Sequence, residues 1–262
     1  MMRFAPARML QRFSRPLAPN ARRWAAAGFD LVFPPNCALC DADLQTSATG
    51  LLCEPCRTEL LHKGEACRRC AMPATGDLAS SDGCPWCRGE RFHFDEAFAL
   101  GRYEGLARQA ALRMKRSSGR ALSLAIAGYL AAQFAARWQA ARFDAVVPVP
   151  MHWSRRVWRG TNSPDALSEP IGTSLGLPVA SHILARSKRT QPQANLSPGR
   201  RRRNLRGAFR ATQHADLPGA RLLLIDDIMT TGATLNEAAT TLKRAGASFV
   251  AVAVVARAEG LV

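Results

Sequence analysis

Two adjacent carboxylates and a short hydroxyl-rich loop form the segment of this sequence whose chemistry is most specific. Asp226 and Asp227 follow the apolar run at residues 222–225, and the loop T-T-G-A-T at residues 230–234 comes shortly after them. Backbone N–H groups and threonine hydroxyls at the start of a helix bind a phosphate dianion, and a glycine lets the backbone approach it. Carboxylates just before such a loop suit the hydroxyls of an attached sugar, or its metal ion. The pattern therefore predicts a site for a sugar phosphate.

The residues around this segment predict the elements that position it. The apolar run at residues 222–225 has the length and branching of a strand buried on both faces. Apolar residues at helical spacing follow the loop, and a second apolar run, residues 249–255, comes after Gly246. The order strand, loop, helix, strand predicts a right-handed βαβ unit. An ordinary turn with two helix-capping aspartates is the alternative, and the hydroxyl-rich loop argues against it.

This segment resembles the phosphoribosyl-pyrophosphate (PRPP) motif of type I phosphoribosyltransferases, in which apolar residues precede two acidic residues and a T-T-G-x-T loop. The resemblance implies that Asp226 and Asp227 are the catalytic acidic pair and contact the ribose 2′- and 3′-hydroxyls. It also implies that the loop wraps the 5′-phosphate and that Mg²⁺ accompanies PRPP. The PRPP-binding residues expected on this basis are Asp226, Asp227, Ile228, Met229, Thr230, Thr231, Gly232, Ala233 and Thr234.

All eight cysteines of the chain fall into C-x-x-C pairs in its N-terminal third. Such a knuckle places two thiolates on one tight turn, where they occupy adjacent corners of a zinc tetrahedron, and the loops between the pairs suit zinc-ribbon hairpins. Disulfides would require an oxidising compartment, for which there is no export signal, and iron–sulfur clusters use different spacings. Two structural zinc sites are predicted: Cys37, Cys40, Cys53 and Cys56, then Cys67, Cys70, Cys84 and Cys87. A cross-braced pairing of the same cysteines stays open on sequence alone.

Two basic segments precede the acidic pair in the chain. Residues 144–152 predict a buried strand that runs into a loop, and the arginine-rich sequence W-S-R-R-V-W-R-G follows it. In type I phosphoribosyltransferases the loop after this kind of strand holds pyrophosphate, and guanidinium groups bind phosphate bidentately. Residues 185–210 carry many arginines and no acid, and their prolines and glycines predict an irregular, mobile loop over the site. Such a loop can close on pyrophosphate as a lid or contact nucleic acid.

The whole-chain properties limit the class of protein. The formal charge of +16 and the pI near 10.8 predict attraction to polyanions such as nucleic acid or nucleotides. No apolar run is long enough for a transmembrane helix, and the arginine-rich N-terminus lacks the apolar core of a secretory signal, so we expect a cytoplasmic protein. The predicted parts are a basic extension at residues 1–30, a double zinc ribbon at 31–90 and a phosphoribosyltransferase-like domain at 91–262.

The order of these motifs is similar to that of the ComF family, phosphoribosyltransferase-like proteins associated in many bacteria with DNA uptake during natural competence. The resemblance runs from Cys37 to Arg257 and implies an α/β fold, a parallel sheet flanked by helices, behind an N-terminal cysteine-rich double zinc ribbon. One departure is that the family usually reads R-G-F-N-Q where this chain has R-G-T-N-S from Arg159. The pyrophosphate and lid candidates are Lys115, Pro150, Met151, Arg155, Arg156, Arg159 and Arg203.

Two functional hypotheses follow from the sequence. The first is an enzyme that binds PRPP with Mg²⁺ and transfers its phosphoribosyl group, with arginines and Mg²⁺ stabilising the charge that grows on pyrophosphate. The second is a zinc-containing accessory protein that binds single-stranded DNA or a DNA-uptake or recombination protein and uses PRPP only as an effector. The basic charge and the ComF resemblance motivate the second hypothesis.

Overall fold

The computed structural model describes residues 36–44, 50–73, 83–151, 163–187, 204–212 and 217–259. The predicted basic extension therefore lies outside the described residues, as does most of the segment 185–210. The helices are α1 (Glu54–Leu60), α2 (Gly105–Arg113), α3 (Arg120–Ala141), α4 (Ser163–Leu175) and α5 (Ala233–Arg244). The strands are β1 (Glu96–Arg102), β2 (Ala145–Pro148), β3 (Leu184–Arg186), β4 (Phe209–Ala211), β5 (Arg221–Met229) and β6 (Phe249–Arg257).

A parallel sheet of four strands forms the centre of the described chain. Its order is β1-β6-β5-β2, and every neighbouring pair is parallel. Strands β5 and β6 are apolar and buried along most of their length, as expected for strands covered on both faces. The segment β5, α5, β6 is the predicted βαβ unit. The predicted α/β fold with a parallel sheet is confirmed.

Strand β5 is longer than its apolar run, because it continues through Asp226 and Asp227 to Met229. Its partner β6 continues in register with it as far as the pair Met229 and Arg257, so backbone pairing holds the polar residues in extended conformation. The acidic pair was predicted to stand at the end of the strand. It instead lies inside the strand, and Ile228 and Met229 separate it from the phosphate loop.

Other predicted elements also differ from the structure at their boundaries. Helix α3 ends at Ala141 and is closed by Arg142, whose φ of 49° is left-handed. The basic segment 185–210, predicted as irregular, begins and ends in strands β3 and β4, which form an antiparallel ribbon. Among the described residues, every helix is too short or too polar to cross a membrane.

The sheet separates two hydrophobic cores, because alternate residues of a strand point to opposite faces. On one face Leu223 and Ile225 of β5 pack with α2, α3, α4 and the first cysteine cluster. On the other face Leu222 and Leu224 pack with α5, the β3–β4 ribbon and the second cysteine cluster. The two cysteine clusters therefore lie on opposite faces of one sheet.

Candidate functional site

The acidic pair lies near the carboxyl edge of the sheet, where the parallel strands β1, β2, β5 and β6 all end. This edge is where ligands bind in open α/β sheets. The side chain of Asp227 is largely buried and forms an ion pair with Lys115, with 3.2 Å between Nζ of Lys115 and Oδ2 of Asp227. Lys115 follows α2 and was predicted as a pyrophosphate candidate. The structure thus brings together two predicted site residues that lie far apart in the chain.

Burial raises the pKa of Asp226 to about 8, and the neighbouring charge of Asp227 acts in the same direction. The N–H of Asp227 donates to Oδ1 of Asp226 at 2.8 Å and lowers that pKa, as do the positive charges of Lys115 and Arg186. The surroundings of Asp226 therefore favour its protonated form. Arg186 belongs to β3, and sequence reasoning included it only in the general basicity of its segment.

The predicted phosphate loop connects β5 to α5. Gly232 occupies the N-cap of α5 with a left-handed φ of 74°, a conformation that glycine adopts without steric penalty. A Cβ at this position would lie 3.2 Å from Cε of Met229 and 3.3 Å from Cε1 of Phe92. The first N–H groups of an α-helix have no partner within the helix and carry its positive dipole end. The loop and the start of α5 therefore suit a phosphate dianion.

The other pyrophosphate and lid candidates have different positions. Pro150 and Met151 are half-buried and follow β2, next to β5 at the carboxyl edge, where the N–H of Val149 donates to Ile225 O at 2.9 Å. The remaining candidates lie outside the described residues: Arg155, Arg156, Arg159 and Arg203. The end of the basic segment is fixed beside the phosphate loop, because the N–H of Gly207 donates to Oε1 of Glu237 in α5 at 2.6 Å.

Arg257 is a site residue that sequence reasoning missed. Its side chain is buried at the end of β6, and its guanidinium donates to backbone carbonyls of both the second cysteine cluster and the phosphate loop. Burial lowers the pKa of Arg257, and the negative charges of Cys70, Cys84 and Cys87 oppose that shift. The only sequence signal for it was an arginine at the end of a long apolar run.

The cysteines form two separate clusters, and the pairing is sequential. Within each cluster the sulfur atoms lie within 4.8 Å of one another. Individual contacts in the second cluster are 3.5 Å between the sulfurs of Cys70 and Cys84 and 3.8 Å between those of Cys67 and Cys87. Sulfurs around a zinc ion with bonds of about 2.3 Å lie about 3.8 Å apart in a tetrahedron. Both clusters fit a structural zinc ion, and a cross-braced arrangement does not describe them.

The thiol chemistry agrees with a bound cation in each cluster. Burial raises the pKa of Cys37, but backbone N–H donors led by that of Cys53 outweigh it and lower the pKa to about 6. Burial and the charges of the other thiols raise the pKa of Cys87 to about 11. In the first cluster burial also raises the pKa of Cys56. In the second cluster burial raises the pKa of Cys67, but backbone N–H donors outweigh it and lower the pKa to about 7. Each cluster thus holds one thiol that ionises readily and one that resists. A metal ion supplies the charge that lets all four act as thiolates.

Comparison with known proteins gives two domain families for this chain. The phosphoribosyl transferase domain matches residues 122–260, and the double zinc ribbon domain matches residues 28–90. A DNA utilization protein YhgH from Salmonella typhimurium is 31% identical over 248 residues, covering 85% of this chain and 96% of its own length. Competence protein F from Haemophilus influenzae is 38% identical over 132 residues. The chain belongs to the ComF family.

The ComF relatives differ in how much of them this chain matches. The alignment with competence protein F covers 50% of this chain and 58% of that protein. The YhgH protein of Escherichia coli strain K12 is 33% identical over 231 residues and is covered over 96% of its length. A solved structure of glutamine PRPP amidotransferase from B. subtilis, complexed with ADP and GMP, is 21% identical with a TM-score of 0.35. It matches over 52% of this chain and 27% of its own.

Proposed function

We propose that this ComF-family protein binds PRPP with Mg²⁺ at the carboxyl edge of its sheet and transfers the phosphoribosyl group to an acceptor. One observation carries the proposal: the ion pair of Lys115 and Asp227 lies next to Asp226 on β5, and the phosphate loop directly follows the end of this strand. A sugar phosphate needs anion-binding N–H groups at one end and hydroxyl acceptors at the other. The two requirements are met within one βα connection.

The residues of this edge take complementary roles in the proposed reaction. The loop at residues 230–234 and the first N–H groups of α5 hold the 5′-phosphate, while Asp226 and Asp227 accept hydrogen bonds from the ribose hydroxyls. Lys115 keeps Asp227 oriented and adds positive charge. The bond from ribose C1 to the pyrophosphate oxygen breaks, its electron pair leaves with pyrophosphate, and the acceptor forms the new bond to C1. The carboxylate oxygens of Asp226 and Asp227, with the phosphate oxygens of PRPP, would hold Mg²⁺, and the ion would neutralise charge on the pyrophosphate.

The cationic segments supply the remaining charge stabilisation in this proposal. Arg155, Arg156 and Arg159 follow Pro150 and Met151 in the chain, and guanidinium groups bind pyrophosphate oxygens bidentately. Arg203 belongs to the basic segment whose ends are β3 and β4. We assign that segment the role of a lid over bound PRPP, and its described end at Gly207 donates a hydrogen bond to Glu237 of α5.

Calorimetric titration of zinc-loaded protein with PRPP and Mg²⁺ tests the binding step. We expect binding in the wild type and none in the double variant Asp226→Asn, Asp227→Asn. Asp144→Asn is the matched control, since Asp144 precedes β2 at the opposite edge of the sheet and accepts from the N–H of Arg221. Pyrophosphate release with a panel of bases then tests transfer. A wild type that gives no heat with PRPP would overturn the proposal.

The strong positive charge favours a second function, binding of single-stranded DNA or of a DNA-uptake or recombination protein. The formal charge of +16 and the relatives named competence protein F and DNA utilization protein support it. In this version PRPP acts as an effector and the protein works in the cytoplasm, where its thiols stay reduced. Fluorescence anisotropy with single-stranded DNA at two salt concentrations tests the idea. Affinity that does not fall with salt would exclude direct electrostatic binding.

A further inference from the structure

The buried guanidinium of Arg257 connects two regions that the sequence places far apart. Its Nε donates to Cys70 O at 2.8 Å, and its Nη1 donates to Met229 O at 3.2 Å. The same Nη1 also contacts the carbonyl oxygens of Thr230 and Ala258. Cys70 belongs to the second cysteine cluster, Met229 is the last residue of β5, and Thr230 begins the phosphate loop. One planar cation therefore fixes the backbone of a metal knuckle and of the candidate phosphate site.

The charge of Arg257 is matched by the cysteine cluster. Only 4% of Arg257 is exposed, and a buried cation is stable only with good hydrogen bonds and a nearby negative charge. A zinc ion with four thiolates keeps a net negative charge, because the thiolates outweigh the charge of the ion. The metal-loaded cluster is thus the counter-charge that lets Arg257 stay buried against the loop. Loss of the metal leaves the knuckle without a fixed shape and Cys70 O without a fixed position.

The segment that follows the second cluster packs against the same loop. Phe92 stacks on Phe94 with 4.7 Å between ring centroids and lies against Gly232. The N–H of His93 donates to Oδ1 of Asn236, in the first turn of α5, at 2.6 Å. Cluster, linking segment and Arg257 together form one wall of the phosphate loop. A change at the metal site therefore has a short, contiguous path to the loop.

We propose that Arg257 is a positioning residue that couples metal occupancy of the second cysteine cluster to the conformation of the phosphate loop. The inference rests on the proposed PRPP site for its functional consequence, since loss of zinc or oxidation of the thiols weakens PRPP binding. The coupling is reciprocal, so bound PRPP slows the release of zinc from the second cluster. The first cluster, on the opposite face of the sheet, lacks this effect.

Hydrogen exchange of the full chain, measured with zinc bound and after its removal by a chelator, tests the coupling without requiring PRPP. Loop exchange should rise on zinc removal in wild type and far less in Arg257→Met. Arg257→Met should raise exchange of the loop amides at residues 230–236 by about tenfold or more while β6 stays protected. Arg257→Lys keeps the charge and loses the planar fork, and should give an intermediate value. Arg113→Met is the matched control, because Arg113 donates to Leu39 O and Ala38 O in the first cluster. It should leave loop exchange at the wild-type level.

Two results would overturn the inference. One is equal loop exchange in wild type and Arg257→Met, and the other is an equal rise throughout the sheet, which makes Arg257 a general stabilising residue. Zinc release to a colorimetric chelator, followed with and without PRPP and Mg²⁺, then tests reciprocity. PRPP should slow the release of one of the two zinc ions in wild type and of neither ion in Arg257→Met. If PRPP fails to bind at all, the proposed function fails while the exchange result still decides the coupling.

Discussion

The two cysteine clusters share one motif but have different surroundings. In the first cluster Cys40 is exposed and Cys53 is partly exposed, and the cluster packs by Leu39, Leu52 and Leu60 against α2 and α3. In the second cluster all four cysteines are buried, in one core with Met229 and the start of α5. Each cluster is contacted by an arginine from a later part of the chain, Arg113 for the first and Arg257 for the second. The first cluster thus supports the fold, and the second is part of the wall of the candidate site.

The largest difference is expected when one ligand of each cluster is replaced. Cys70→Ser removes a fully buried ligand and should abolish both the second zinc and PRPP binding, because metal binding supplies much of the folding free energy of such a module. Cys40→Ser removes an exposed ligand and should leave PRPP affinity within about tenfold of wild type. Zinc content by mass spectrometry and PRPP titration measure both. Equal losses in the two variants would contradict the difference between the clusters.

Gly232 of the phosphate loop packs against Phe92, which belongs to the segment that follows the second cluster. Gly232→Ala should lower the free energy of unfolding by about 1–2 kcal/mol and weaken PRPP binding, because a left-handed residue acquires a Cβ against Phe92 and Met229. Gly176→Ala is the control, with a φ of 66° and open space around its Cβ. It should show the conformational effect alone, with normal PRPP affinity. Urea unfolding measures the loss of stability in each variant, and calorimetry measures its affinity for PRPP. Equal PRPP affinities in Gly232→Ala and Gly176→Ala would contradict a clash of the new Cβ with Phe92 and Met229.

The two members of the acidic pair also differ, because Asp227 is paired with Lys115 and the pKa of Asp226 is raised. A carboxyl with a raised pKa favours folding most in its protonated form, so its contribution is lost as pH rises through about 8. Asp226→Asn should therefore melt at least about 3 °C above wild type at about pH 9, with the gap closing toward about pH 5. Asp227→Asn leaves Lys115 unpaired and should not melt higher. A gap for Asp226→Asn that stays constant with pH would contradict the assignment.

The smallest effect is expected on the side of the first cluster. Arg113→Met should lower the free energy of unfolding by about 1 kcal/mol, because its side chain is 39% exposed and its carbonyl contacts compete with water. PRPP affinity should change by less than about twofold. Urea titration measures the first quantity and calorimetry the second. A large loss of PRPP affinity would show that the first cluster also acts on the site.

Local pattern was sufficient for the parts of this protein that depend on nearby residues. Residues 222–225 indicated a buried strand because every side chain is apolar, and the C-x-x-C spacing indicated two four-cysteine sites that the structure confirms as sequential. The role of Arg257 was not accessible in this way, since Cys70 and Arg257 are 187 residues apart. Strand register and the packing of the second cluster against the sheet bring them together. The sequence likewise contained no signal that the clusters lie on opposite faces.

The position of β1 has a consequence for the order in which the chain acquires structure during synthesis. Among the described strands β1 pairs with β6 alone, and just before β1 the side chain of Asp95 accepts from the N–H of Val250, 155 residues later. Strand β1 is also held by residues near both cysteine clusters. The N–H of Ala97 donates to Arg68 O in the second cluster, and the N–H of His62, which follows α1, donates to Leu100 O. The metal-bound module can therefore fold first and shield one edge of β1 from self-association. Until β6 has been synthesised, one edge of β1 is covered by these contacts and the other edge is still exposed.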